Sequence, residues 1–281
     1  MKNIIACIDG SVHSQHVTHI AIWTAQKLSA PLTLLHVLEK SSVVESELSG
    51  TIGLGSQEQL LQELVDLDEK RAKLALQHGT AVLRNLKASA TNAGVNDIAM
   101  LQKHGSLVET LIDIEPETRV VVMGRSGDIH KNDAKAIGSQ LESVVRMVNA
   151  HFLLATSKFS APSDYLLAFD GSEISHKLVE KAIQTPLLEG MTCHLVMVTD
   201  GKENTDSFLS ASLRLKNKGI TVIETQLEGE VHRSILDYQE SQNLGMIVMG
   251  AYGHSKLRQF FVGSNTTKII VNSDVPLLLI R

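Results

Sequence analysis

Two tripeptides of identical make-up, Asp9-Gly10-Ser11 and Asp170-Gly171-Ser172, each follow an unbroken apolar run, Ile4 to Ile8 and Tyr165 to Phe169. A carboxylate at the end of a buried strand can accept hydrogen bonds from a ribose or the edge of a base. The Gly-Ser that follows can turn the chain and cap a helix, and taken alone these residues make an ordinary capped turn. The second constellation is Gly250-Ala251-Tyr252-Gly253, then nine residues, then Gly263-Ser264-Asn265. Glycines after a strand let backbone amides close on an anion, and a helix opening at Ser264 would add free N–H groups and the positive end of its dipole. A loop built this way at both ends suits a chain of phosphates. Lys256 and Arg258, inside the loop, are either phosphate neutralisers or solvated charges.

The same loop occurs once more, less regularly. Gly124-Arg125-Ser126-Gly127 is followed by ten residues and then Gly138-Ser139, and the interval carries Asp128 and Asp133 offset by Lys131 and Lys135. Acidic groups beside a phosphate tail oppose binding unless a metal or a lysine screens them.

The elements that must position these residues are legible as a duplication. The strand-Asp-Gly-Ser unit, the apolar run ending in glycine (Val120 to Met123, Met246 to Met249) and the Gly-Ser helix start with its final apolar strand recur in one order. Continuous apolar runs bounded by turn residues read as strands buried on both faces. They fall at Ile4–Ile8, Leu32–Leu38, Ile98–Gln102, Val120–Met123 and His151–Ala155. The second set is Tyr165–Phe169, His194–Val198, Thr221–Gln226, Met246–Met249 and Pro276–Ile280. Helix-period stretches such as His16–Lys27, Ala72–Ala90 and Val108–Ile114 lie between them. This alternation predicts an α/β fold: two tandem Rossmann-like domains, each a five-stranded parallel sheet with helices on both faces. The boundaries are set at 1–157 and 164–281, around Ser157 to Ser163. The first copy carries an insertion at about 40–78, read as a mobile Gly/Ser loop (Ser41, Ser42, Gly50, Gly53, Gly55) followed by a solvated, charged helix. Ligands of such sheets bind beyond the carboxyl ends of the strands, where the strand order reverses.

An apolar strand ending in Asp, with Gly-x2-Gly-x9-Gly-Ser near the C-terminus, resembles the universal stress proteins, and the similarity spans nearly the whole chain in two copies, as in tandem members of that family. The resemblance implies a Rossmann-like fold and a role in the stress response. It also implies adenine nucleotide (ATP, or AMP or ADP) in one or both domains, and Mg²⁺ with a bound triphosphate. It carries over as Asp170, Gly171 and Val198 at the adenosine, and Gly250, Ala251, Gly253, Gly263, Ser264 and Asn265 at the phosphates. The first-copy counterparts are Asp9, Val37, Gly124, Gly127, Gly138 and Ser139. It further implies that the last strands of the two halves pair within the chain.

The rest bounds the function. The chain has 281 residues, a net charge of −5 and no basic stripe, so no nucleic-acid footprint is visible. Without a membrane-spanning apolar stretch or an export signal, the expected location is the cytoplasm. Cys7 and Cys193 read as buried reduced thiols. His13, His16 and His19 read as helix residues without a shared ligand, while His104 and His254 lie near the candidate loops but lack a partner that would make either a general base. No P-loop, dinucleotide fingerprint, His-Glu-x-x-His or Gly-x-Ser-x-Gly motif is present. With one carboxylate per site and no activated nucleophile, a nucleotide sensor or regulator is favoured over an enzyme. A slow ATPase, or a tandem scaffold that has lost nucleotide binding in one or both domains, stays open. So do a homodimer and a protein partner.

Overall fold

The computed structural model describes residues 2–39, 54–125, 139–157, 159–199, 205–250 and 264–281. The first half runs β1 (Asn3–Cys7), α1 (Ser14–Leu28), β2 (Leu32–Leu38), α2 (Leu54–Asn92), β3 (Ile98–His104), α3 (Leu107–Ile114), β4 (Thr118–Gly124), α4 (Ser139–Met147) and β5 (His151–Ala155). The second runs β6 (Asp164–Phe169), α5 (Glu173–Gln184), β7 (Thr192–Thr199), α6 (Thr205–Lys216), β8 (Val222–Glu228), α7 (Val231–Ser241), β9 (Ile247–Gly250), α8 (Ser264–Asn272) and β10 (Leu277–Ile280).

Each half is the expected parallel five-stranded unit, but the strands form one ten-stranded sheet in the order β3-β2-β1-β4-β5-β10-β9-β6-β7-β8. At its centre β5 and β10 pair antiparallel, with Leu154 opposite Leu277, Leu153 opposite Leu278 and Phe152 opposite Leu279. All six are buried, which is why both strands read as purely apolar runs. Each would be an unpaired edge in an isolated half.

Helices cover both faces, and the packing beneath them ignores the boundary between the halves. One face joins Ile4, Val17 and Leu32 to Tyr165, Leu178 and Phe208 in a single core cluster. The other joins Val121, Val144 and Phe152 to Leu166, Ile247 and Ile269. The connection contributes as well: Phe159 meets Trp23 of α1 edge-on, with ring centroids 5.7 Å apart.

The insertion differs from its expected form. Its Gly/Ser stretch at 41–53 lies outside the described residues, but Gly55, assigned above to the loop, lies within α2, a single 39-residue helix. From Gly79 onward α2 packs on β2 and β3, with Leu83, Leu86 and Ala90 buried. Residues 62–78 are exposed on every side, so the charged run occupies a projecting helix.

Candidate functional site

Two equivalent mouths lie at the carboxyl ends of the strands, where the order reverses between β1 and β4 and between β6 and β9. In the second half Phe169 pairs with Met197, so Asp170 comes level with Val198. On the other side of the reversal β9 ends at Gly250, and α8 opens with the backbone of Ser264. These residues therefore share one mouth, as their sequence positions require. Asn265 is exposed on the first turn of α8. Ala251, Gly253 and Gly263, with His254, Lys256 and Arg258, lie outside the described residues.

The Asp170 carboxylate is held by its own turn. It accepts the backbone N–H of Ser172 at 2.9 Å. Ser172 in turn caps α5, its hydroxyl accepting from Ser175 N at 3.2 Å. Burial raises the Asp170 pKa, but hydrogen bonds from Ser172 and Ser175 outweigh it, so the group sits below the ordinary carboxylate range. Gly171 supplies φ +77° between them, where a side chain would be strained. The capped-turn reading and a poised acceptor are thus one arrangement.

The first half repeats the turn with one change. Asp9 accepts Ser11 N at 3.0 Å and the Ser14 hydroxyl at 2.9 Å, and Gly10 has φ +82°. Cys7 pairs with Leu35, bringing Asp9 level with half-buried Val37, and Gly124 ends β4 across the reversal. α4 opens with the backbone of Ser139, while Gly127 and Gly138 lie outside the described residues.

Three residues at this mouth escaped the sequence reading. His78 of α2 comes over the turn, its Nε2 3.6 Å from the point a Cβ on Gly10 would occupy. Buried His36 lies below, 3.4 Å from Gln102 Nε2. Its pKa is lowered by burial and by His78, against an opposing pull from Asp9. The third is Arg125, placed above in a phosphate loop. Its Nη1 instead donates to the carbonyls of Ile270 (2.9 Å), Val271 (3.0 Å) and Ser273 (2.7 Å) at the end of α8. Only Arg125 left a signal, as a long cation where the other copy has Ala251. His78 reaches the Gly10 turn through the path of α2, which no local pattern encodes.

Other expected features stand as follows. His13 and His19 are exposed, and His16 is half-buried. No group of three or more metal-ligating side chains occurs among the described residues. Both cysteines are free, and burial pushes each thiol up to about 12. His104 ends the edge strand β3, away from the reversal. No described helix is long and apolar enough to cross a membrane. A cavity of about 720 Å³, lined by Ser157, Phe159, Asn272 and Asp274 among others, opens at the amino ends of β9 and β10 and contains none of the candidate nucleotide-binding residues. Ligands of parallel sheets sit at the opposite ends.

With this geometry in place, the family model described as "Universal stress protein family" matches residues 1–154 and again 165–281. The chain belongs to the universal stress protein family. It is similar along its full length, at 32% identity and with 100% of both chains covered, to the universal stress protein Slr1230 of Synechocystis. Among solved structures, a universal stress protein from Archaeoglobus fulgidus superposes on the whole of this tandem universal stress protein with a TM-score of 0.70 at 18% identity, covering 96% of that chain. A functionally unknown Pseudomonas aeruginosa protein does so at 0.63 and 13% identity, covering 92% of that chain. These two likenesses concern the fold.

Proposed function

We propose that this universal stress protein binds an adenine nucleotide, ATP first among them, at the second-half mouth and acts as a cytoplasmic stress-response regulator. In this reading the halves 1–157 and 164–281 are its two candidate binding units. The observation that supports it most is the convergence of Asp170, Val198 and Gly250 at the carboxyl ends of three adjacent strands, with α8 next in the chain after the loop that follows Gly250. Asp170 would take the ribose, the backbone around Val198 the adenine. Gly250, Ala251, Gly253, Gly263, Ser264 and Asn265 would enclose the phosphates, whose charge the amino end of α8 favours. Mg²⁺ would accompany a triphosphate through phosphate oxygens rather than through a protein cluster.

The first-half mouth has the same parts in Asp9, Val37, Gly124, Gly127, Gly138 and Ser139. It is the weaker candidate, because Arg125 is turned to α8 and His78 stands over Gly10. A regulator fits the chemistry better than a rapid hydrolase. Asp170 is held in its ionised form by its own turn, and among the described residues no second acid or base stands beside it to activate water.

Calorimetric titration with ATP, ADP and AMP, with and without Mg²⁺, tests this reading. One site of appreciable affinity is expected. Asp170→Ala should weaken it at least tenfold, about 1.4 kcal/mol. Gly263→Asp with Ser264→Ala should abolish it while leaving the melting temperature of the free protein nearly unchanged. No heat and no thermal shift in excess nucleotide would leave a tandem scaffold. Phosphate release at many turnovers per minute would make it an ATPase.

A further inference from the structure

Helix α8 reaches from one half's mouth toward the other's. It connects β9 to β10, which are parallel, so it runs back from their carboxyl ends to their amino ends. Because β5 and β10 are antiparallel, those amino ends lie beside the carboxyl ends of the first-half strands. α8 has nine residues and is about 13 Å long. A helix this short depends on its packing and on what satisfies its end groups.

The last turn of α8 takes its partner from the other half. The Ile269 carbonyl still accepts the amide of Ser273 at 2.9 Å. Beyond it, the carbonyls of Ile270, Val271 and Ser273 accept from Nη1 of half-buried Arg125. Arg125 directly follows Gly124, the last residue of β4, and so belongs to the loop at the first-half mouth. Asp274, just past α8, attracts the same guanidinium. The second copy has Ala251 at the matching place, and α4 is closed instead by Arg281. Each helix that follows a Gly-rich loop is thus closed by an arginine of the opposite half.

We infer that Arg125 is a positioning residue for the phosphate end of the second-half site, acting through α8 from the first half; this holds only if that mouth binds nucleotide as proposed. The phosphates would meet the amino end of α8. The adenosine end, at Asp170 and Val198, is fixed by β6, β7 and the capped turn of α5, none of which Arg125 bonds. Without Arg125 the last turn loses its donor and Asp274 its cation. Negative charge then gathers at one end of a short helix whose other end must attract an anion. A ligand should therefore feel Arg125 through its phosphates and not through its nucleoside.

Calorimetric titration with ATP, and with adenosine in competition, is the test, at a temperature where melting curves show each variant folded. Arg125→Ala should weaken ATP about fivefold, the size of one charge acting at a helix terminus, and leave adenosine unchanged. Arg125→Met keeps the stem and removes the donors; it should do the same, and it stands in for alanine if that variant does not fold. Arg125→Lys should recover most of the loss. Arg281→Ala removes the matching brace on α4 and should leave ATP affinity at the parent's value. ATP affinity indifferent to Arg125 would overturn the inference. So would equal weakening of ATP and adenosine, or the same loss from Arg281→Ala, either of which would reduce Arg125 to general bracing. A parent that binds no ATP would defeat the nucleotide reading and the inference with it, whereas the other failures leave that reading standing.

Discussion

At the scale of single residues, ionisation is set by which groups the seam buries. His151, first residue of β5, accepts the backbone N–H of Arg281 on Nδ1 at 3.3 Å, a bond that needs the neutral ring. Burial first, then the cations of Lys181 and Arg119, push it down to about 4. In the unfolded chain the ring takes a proton at about pH 6.5. Between those values the unfolded state binds a proton that the folded state refuses. The contribution of His151 is therefore complete above the unfolded value and is lost as pH falls toward about 4. His36 and His194, lowered chiefly by burial, act in the same direction. Urea unfolding midpoints should drop between neutral pH and about pH 5, and His151→Gln should flatten that slope. A variant as steep as the parent would assign the effect elsewhere.

At the scale of elements, α2 is the informative case because one residue divides its two regimes. Gly79 is the first buried position after the projecting arm. A Cβ there would lie 2.4 Å from Gln102 Nε2 and 2.6 Å from the ring of buried His36. Alanine improves helix propensity by about 1 kcal/mol over glycine. Overpacking a filled site costs roughly 1–3 kcal/mol. The Gln102 side chain can swing away, but the buried His36 ring cannot, so the steric cost should win. Gly79→Ala is expected to destabilise the protein by about 1 kcal/mol in denaturant titration. A stabilised variant would mean that α2 sits farther from β2 than described. The hydrophobic period showed the packed part of this helix in the sequence. The charged run was legible as a solvated helix; its start at Leu54, through Gly55, was not, because the Gly/Ser stretch beside it carries the signals of a loop.

At the scale of the whole molecule, the halves are tied by more than the β5–β10 ladder. Arg125 of the first half closes the carboxyl end of α8, and Arg281 of the second closes that of α4, its Nη1 donating to Val145 O at 2.9 Å and Val148 O at 2.7 Å. Each arginine places a cation at the negative end of a helix dipole and satisfies carbonyls that the helix leaves over. Hydrogen bonds to a charged group contribute roughly 1.5–3 kcal/mol. Arg125→Ala should therefore lower unfolding stability by about 2 kcal/mol, with loss of one cooperative transition as the sharper readout. A neutral result would show that the shared cores alone fix the halves.

The sequence determined the duplication, the order of strands and helices and the two Asp-Gly-Ser turns, because each rests on local chemistry: apolar runs, a left-handed glycine, a serine cap. It also placed Asp170, Val198 and Gly250 at strand ends, from which a common mouth follows once the sheet is parallel. That the last strands of the two halves pair was implied by the resemblance; only the tertiary structure decided that they run antiparallel and that each face carries one core across both halves. Only it turned Arg125 to α8 and brought His78 over Gly10. Those contacts join residues more than sixty positions apart. Their geometry follows from how helices lie on the sheet, and no spacing along the chain records it.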